Sequence, residues 1–382
     1  MSKYIFLKEV ADIIMGQSPA SSTYNDEGKG LPFYQGKAEF GVRHPIVKKW
    51  CSAPLKIADQ GDILLSVRAP VGPTNICNVK SCIGRGLAAI RCKKNKADHL
   101  FIWFYLRNIE KRIASKGVGS TFTAIGREEI SKIQVPSVNY FVQRKIASIL
   151  EKAESAREKR KEANRLINEF LKSAFLEMFG DPVRNLKKFE KLKLEKVCKK
   201  IQDGTHYSPK QQESGFPYVT AKNIKPWGIN LTNVTYISEK EHKAIYKRCD
   251  PKKGDVIYIK DGVTAGLAKV NSLDFEFSML SSIALIRPNK NLLNPFYLEY
   301  YLNHPHVYKR ILERKSGSAI TRLILKEIKD IEIHTPPIDR QNRFANLVQK
   351  VEKLKEKQSE SENELNNLFN SLMQRAFRGK VS

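Results

Sequence analysis

Gln143-Arg144-Lys145-Ile146-Ala147 opens a stretch that runs to Phe179 without a glycine or proline, and Gln341-Asn342-Arg343-Phe344-Ala345 opens its copy 198 residues later. Lys159 returns as Lys357, Ser173 as Ser371 and Phe179 as Phe377. In the first copy Ile146, Ile149, Ala153, Ala156, Arg160, Ala163, Ile167, Phe170 and Ala174 step alternately by three and four. In the second, Phe344, Leu347, Val351, Leu354, Gln358, Ser361, Leu365, Leu368 and Leu372 keep the same steps. Such spacing puts one apolar seam along a long helix, as a coiled coil requires, with a polar rung at Arg160 and Gln358. Pro136 and Pro336-Pro337 stand ahead of the two helices, and Gly180-Asp181-Pro182 ends the first.

The duplication extends outward from the helices. Leu7-Lys8-Glu9-Val10 answers Leu194-Glu195-Lys196-Val197, Gly61-Asp62-Ile63 answers Gly254-Asp255-Val256, and Ile90-Arg91 answers Ile286-Arg287. Gly119-Ser120 answers Gly317-Ser318. Solenoid repeats run about 20–50 residues, so a period near 200 is a tandem pair of whole domains. Short apolar runs such as Ile63-Leu64-Leu65-Ser66-Val67 and Leu87-Ala88-Ala89-Ile90 read as strands between turns, with helices at 100–113 and 295–312. The predicted fold is α/β in the α+β sense. Two similar mixed domains, 1–136 and 181–337, alternate with helices at 137–180 and 338–382 that pair with each other as a coiled coil.

Charge narrows the partner. The 382 residues carry 67 Lys+Arg against 40 Asp+Glu, a net +27. Residues 1–180 hold 30 against 17 and the remainder 37 against 23, so the load is even. Two similar basic surfaces facing one kind of polyanion point to nucleic acid, whose phosphates supply most non-specific affinity. The six cysteines form no C-x-x-C pair and do not match across the repeat, which disfavours a zinc or disulfide framework. Met1-Ser2-Lys3-Tyr4 lacks a signal-peptide core, and the longest apolar run, Leu100 to Leu106, falls far short of the ~20 residues of a membrane span. A cytoplasmic protein without a membrane partner is expected.

No catalytic constellation is legible. There is no phosphate-binding P-loop and no H-E-x-x-H zinc motif. Asn294-Pro295-Phe296-Tyr297 is similar to an adenine methyltransferase loop, but its counterpart Asp98-His99-Leu100-Phe101 keeps only the first polar residue. Both read as helix caps. More telling are four loop segments that recur with altered side chains: 16–24 with 203–208, 36–40 with 221–225, 67–72 with 260–266, and 119–127 with 317–322. Their polar and basic residues suit phosphate oxygens and base edges. The candidate DNA contacts are Gln17, Ser18, Lys37, Arg68, Arg85, Ser120, Thr121 and Thr123 in the first copy. In the second they are Thr205, His206, Lys222, Asn223, Lys260, Ser318, Thr321 and Arg322.

Taken together, Ile14-Met15-Gly16-Gln17-Ser18-Pro19, Gly30-Leu31-Pro32-Phe33-Tyr34-Gln35-Gly36, Gly61 through Gly72, Ile83-Gly84-Arg85-Gly86 and the Gln143-Arg144-Lys145-Ile146-Ala147 helix form a recognisable set. So do Phe175 through Pro182 and the terminal Arg375-Ala376-Phe377-Arg378-Gly379. Along its whole length the chain resembles the specificity (S) subunit of type I restriction–modification systems. Lys260-Asp261-Gly262 departs from Val67-Arg68-Ala69 of the first copy. The resemblance implies a non-catalytic subunit whose two target-recognition domains each read half of an interrupted double-stranded DNA site, with the antiparallel helices as spacer. It further implies two methyltransferase (M) subunits docked on those helices, binding S-adenosylmethionine and methylating adenine N6, and nuclease (R) subunits that join them; this chain itself needs no cofactor. A methylation-only system without nuclease, or a generic basic coiled-coil nucleic-acid adaptor, is the alternative. A self-contained methyltransferase or nuclease lacks its motifs, and an RNA reader lacks an aromatic stacking cluster.

Overall fold

The computed structural model describes residues 4–115, 124–313 and 322–377. They form two compact units, Met1–Lys161 with Ser359–Ser382 and Glu162–Gln358. Four helices organise them: α1 (His99–Asn108) and α3 (Pro295–Leu302) are short, while α2 (Tyr140–Phe179) and α4 (Ile338–Phe377) are long. The first unit thus holds the N-terminal part of α2 and the C-terminal part of α4, and the second holds the reverse.

Each unit has the same central antiparallel sheet. In the first its order is Ala11–Met15, Leu87–Cys92, Ile63–Ser66, Thr74–Ile76; in the second, Cys198–Asp203, Ile283–Pro288, Val256–Ile259, Ala268–Val270. Their middle strands are buried on both faces, which is why the sequence shows short continuous apolar runs rather than alternation. Ile63 and Leu65 face the core under α1, while Leu64 packs towards a second, five-stranded sheet. Val256 and Tyr258 against Ile257 and Ile259 repeat that division in the second unit. Helix α1 is apolar all round, with Phe101 to Leu106 all buried, because it lies between the sheet and the long helices.

The sequence landmarks of the repeat are structural staples. Asp62, on the turn made by Gly61 (φ 90°), takes a two-pronged contact from Arg91: Nε donates to Oδ1 at 3.0 Å and Nη2 to Oδ2 at 2.8 Å. Asp255, after Gly254 (φ 89°), takes the same contact from Arg287, both bonds at 2.9 Å. Paired, fork-shaped contacts of this kind hold geometry as well as energy. The repeated glutamine is a second staple. Gln143 accepts from the Asp98 N–H at 2.9 Å and donates to the Lys96 and Val138 carbonyls. Gln341 accepts from the Asn294 N–H at 2.8 Å and donates to Leu292 and Pro336. Each ties the start of a long helix to the cap of the short helix beneath it.

Asp98 and Asn294 are indeed N-caps, accepting from Phe101 N–H and Phe296 N–H respectively, with Pro295 in the first turn. Gly180, at φ 76°, stops α2 in the left-handed conformation common just past helix ends. The far ends of the long helices close each core with aromatic rings. In the first unit Phe377 lies 5.5 Å from Phe101 and 5.2 Å from Tyr105. In the second, Phe179 meets Tyr297 edge-on at 4.7 Å and Phe344 at 5.6 Å.

The apolar stripe of the helices differs from the expected seam. Ile146, Phe344 and Val351 are buried and Ala153, Ile167, Leu347, Leu365 and Leu372 partly so, but Ile149, Phe170, Leu354 and Leu368 are exposed. The buried line instead takes in Leu150, Leu171, Phe175, Phe369 and Met373. A helix half that covers a globular core needs a wider, rotated stripe than one that touches only another helix. Direct contacts between the long helices do occur within a unit: Arg157 Nε donates to Asn366 Oδ1 at 2.7 Å and lies 4.5 Å over the Phe369 ring.

Candidate nucleic-acid interface

Four loop segments of the first unit meet at one end of its central sheet through backbone bonds. Gln17 N–H donates to the Ile83 carbonyl, Gly86 N–H to Gln35, and Val67 N–H to Gly86. The Ser18 hydroxyl accepts from the Arg85 N–H at 3.2 Å. Glycine is required where these strands approach: a Cβ on Gly16 would strike the Gly84 carbonyl, and one on Gly86 the Gln35 carbonyl. Gln17, Lys37, Arg68 and Arg85 are exposed around this rim and Ser18 partly so, and none of the three cations forms an ion pair among the described residues. The structure therefore brings together five of the residues singled out from the first copy. Gln35, exposed and central to the junction, was missed, although its flanking Tyr34 and Gly36 belong to the repeated framework.

The second unit builds the same junction from different side chains. Thr205 N–H donates to Met279, Ser281 N–H to Thr205, and Lys260 N–H to Ser282. Leu323 N–H bonds the Lys260 carbonyl as Ile125 N–H bonds Val67. This register equates Lys260 with Val67 and Asp261 with Arg68. His206, Lys222 and Arg322 are exposed on this rim.

Three expectations are corrected here. Lys260 is 3% exposed and its Nζ donates to Asp203 Oδ2 at 2.7 Å, so it occupies a core position and cannot reach a ligand. Asn223 is buried as a turn brace, its Oδ1 accepting from Thr220 N–H and its Nδ2 donating to the Asn230 carbonyl. Thr205 is buried too; its backbone is spent on the junction and its hydroxyl faces the Tyr207 N–H at 3.4 Å. Ser120, Thr121, Thr123, Ser318 and Thr321 lie outside the described residues.

Other groups near the second rim carried no motif. Asp203 is faced by three nitrogen-bearing side chains: Lys260, His206 at 3.3 Å and Arg248 at 3.4 Å, and Arg248 also donates to the Gly204 carbonyl. Tyr207 donates its hydroxyl to Glu241 at 2.6 Å, which holds the phenol in its neutral form by raising its pKa. The six cysteines are free thiols, and burial pushes Cys92, Cys198 and Cys249 up to about 12. Among the described residues no cluster of three His, Cys, Asp or Glu could hold a metal ion, and no helix is long and apolar enough to cross a membrane.

Comparison with known proteins agrees with this duplicated architecture. The family described as the type I restriction modification DNA specificity domain matches residues 2–167 and again 186–367. The putative type I restriction enzyme MjaX specificity subunit of Methanocaldococcus jannaschii is 47% identical over 155 residues, 40% of this chain and 36% of that subunit's length. The MjaIX specificity subunit of the same organism is 22% identical over 373 residues, covering 90% of this chain and 85% of that one. Among solved structures, the type I restriction–modification S subunit from M. genitalium shares the fold, with a TM-score of 0.66 over 99% of this chain and 96% of that one at 16% identity. With both of its halves matched, the chain belongs to the type I restriction modification DNA specificity family and carries the domain twice.

Proposed function

We propose that this chain is the non-catalytic reader of a type I restriction–modification complex, each unit reading one half of an interrupted duplex site. The observation that carries the reading is one framework bearing two rims. The Asp62–Arg91 and Asp255–Arg287 staples and the loop junctions are the same in both units, while the exposed side chains on them differ. Arg68, Arg85 and Lys37 on one rim and Arg322, Lys222 and His206 on the other are donors suited to phosphates and guanine edges. A shared scaffold with unlike donors is what two different half-sites demand.

The long helices are read as the antiparallel coiled-coil spacer, supported by the Arg157–Asn366 contact and the Phe175–Phe344 pair within the respective units. Their exposed apolar residues Ile149, Phe170, Leu354 and Leu368 suit docking by two methyltransferase subunits, which bind S-adenosylmethionine and methylate adenine N6. Nuclease subunits join them, and the complex works in the cytoplasm, where the DNA is. Mapping adenine methylation across the host genome with and without the gene tests this. Loss of methylation at one bipartite motif is expected, and an unchanged methylation map refutes the reading. Protection of that motif from cleavage then separates a restricting system from a methylation-only one.

A further inference from the structure

On the first rim Arg68 forms a backbone β-bridge with Ala124, and on the second Asp261 forms the equivalent bridge with Arg322. The bridges are equivalent because each is followed by the same bond, Ile125 N–H to the Val67 carbonyl and Leu323 N–H to the Lys260 carbonyl. The two rims therefore present one guanidinium at the same bridge, but from opposite partner segments. In the second unit a carboxylate stands where the first has its arginine.

That carboxylate is placed behind the guanidinium rather than in front of it. The Asp261 side chain is 26% exposed and that of Arg322 62%. Among the described residues Asp261 Oδ1 is inaccessible and accepts no hydrogen bond, and Arg322 Nε lies 3.5 Å from it, just beyond bonding length. A buried carboxylate oxygen without a donor is costly, so closure of the guanidinium onto it is favoured. Such closure engages Nε and leaves the two Nη groups pointing outward as a fork. A fork of that shape matches the O6 and N7 acceptors of guanine in the major groove.

Resting on the DNA-reading function proposed above, we infer that Arg322 reads a guanine in the second half-site and that Asp261 is its positioning residue. Arg68 serves the first half-site from the other side of the equivalent bridge, where its partner is Ala124.

The test uses the full chain expressed in its host in place of the wild-type gene, with genome-wide adenine methylation as the readout. Arg322→Ala is expected to relax one guanine of the second half-site by about 5- to 150-fold, the discrimination a good bidentate contact supplies. Arg322→Lys keeps the charge but not the fork, so it should relax the same base while retaining overall methylation. Asp261→Asn should relax that same base to a smaller degree, and should add nothing in the Arg322→Ala background. The first half-site should stay intact in all three variants and change in Arg68→Ala. If Asp261→Asn relaxes a different base pair, the carboxylate touches DNA itself and its positioning role is overturned. If Arg322→Ala weakens all sites alike and flattens the salt dependence of binding, Arg322 holds a phosphate and the base assignment fails. If exchanging the whole second rim leaves the motif unchanged, it is the DNA-reading function that falls.

Discussion

Replacing Lys260 by valine should destabilise the second unit, and replacing Asp203 by methionine at the same time should restore it. Both side chains of the pair are 3% exposed, and Nζ to Oδ2 is 2.7 Å. Removing one partner of a buried pair costs about 3–5 kcal/mol, because the other charge is left unpaired out of water. Here Arg248 at 3.4 Å and His206 at 3.3 Å still face Asp203, so the low end of that range, about 3 kcal/mol, applies. For a unit spanning Glu162–Gln358, a domain of 150–250 residues, each kcal/mol moves the melting point by about 2–4 °C, giving a fall of about 6–12 °C. The first unit shows that the pair is dispensable: by register, Met15 and Val67 stand at these positions, Val67 in its apolar core and Met15, partly buried, packed against it. Asp203→Met with Lys260→Val should then match the wild type or exceed it by about 1–4 kcal/mol, the usual result of replacing a whole buried pair. Differential scanning calorimetry of the full chain measures both variants. A Lys260→Val shift below about 2 °C, or a double variant less stable than the single one, refutes the argument.

The repeated glutamines should be structural to a similar degree. Gln143→Ala or Gln341→Ala strands one N–H and two carbonyls at a buried joint, and with water reaching some of them the expected loss is about 2–4 kcal/mol in chemical denaturation; a loss under about 1 kcal/mol at both sites would show the joint is held otherwise. Asp181 offers a pH signature: burial opposes ionisation, but the N–H groups of Val183 and Arg184 and the His306 ring outweigh it and hold the carboxyl down at about 2. Because its folded pKa lies below its ordinary value, its contribution is complete above about pH 4 and lost as the pH falls towards 2. The stability gap between wild type and Asp181→Ala should shrink over that window, and a gap constant from pH 7 to pH 3 followed by no decline below it contradicts the assignment.

Much of the fold was legible because the repeat itself carries it. Gly61-Asp62 with Ile90-Arg91, and their second copies, stood out as recurring pairs, and they are the staples of the two sheets. The caps at Asp98 and Asn294 were legible from local chemistry alone. The helical seam was legible only in part, because a three–four pattern reports that a face is apolar, not what covers it: Ile146, Phe344 and Val351 are buried, whereas Leu150, Leu171 and Phe369 are buried beside the exposed Ile149, Phe170 and Leu368. Phe369 and Met373, with Ala376 and Phe377, pack into a core whose remaining buried members lie more than 200 residues earlier, and no local pattern encodes that distance. Lys260 was misread for a different reason. A lysine in a polar loop is normally solvated, and only its register with Val67, together with Asp203 in the register of Met15, marks both as core positions.

The same comparison shows how one scaffold can carry two different rims. The positions that define the junction are backbone donors and acceptors, so they constrain side chains only where strands touch most closely, as at Gly16 and its counterpart Gly204. Everything outside those contacts can change without refolding the unit. The changes here are chemically large: the apolar Met15–Val67 pair becomes Asp203–Lys260, the Gly84-Arg85-Gly86 turn becomes Leu280-Ser281-Ser282, and an exposed arginine moves from one side of a β-bridge to the other. The last two alter what the rim exposes, and all three leave the sheet, the staples and the helix joints in place. Specificity in this architecture is therefore separable from stability at Arg68, Arg85 and Arg322, which are exposed, and inseparable from it at Lys260, which is buried. Variants meant to retarget the second half-site should accordingly begin at Asp261 and Arg322, and a retargeted protein obtained through Lys260 alone would contradict this division.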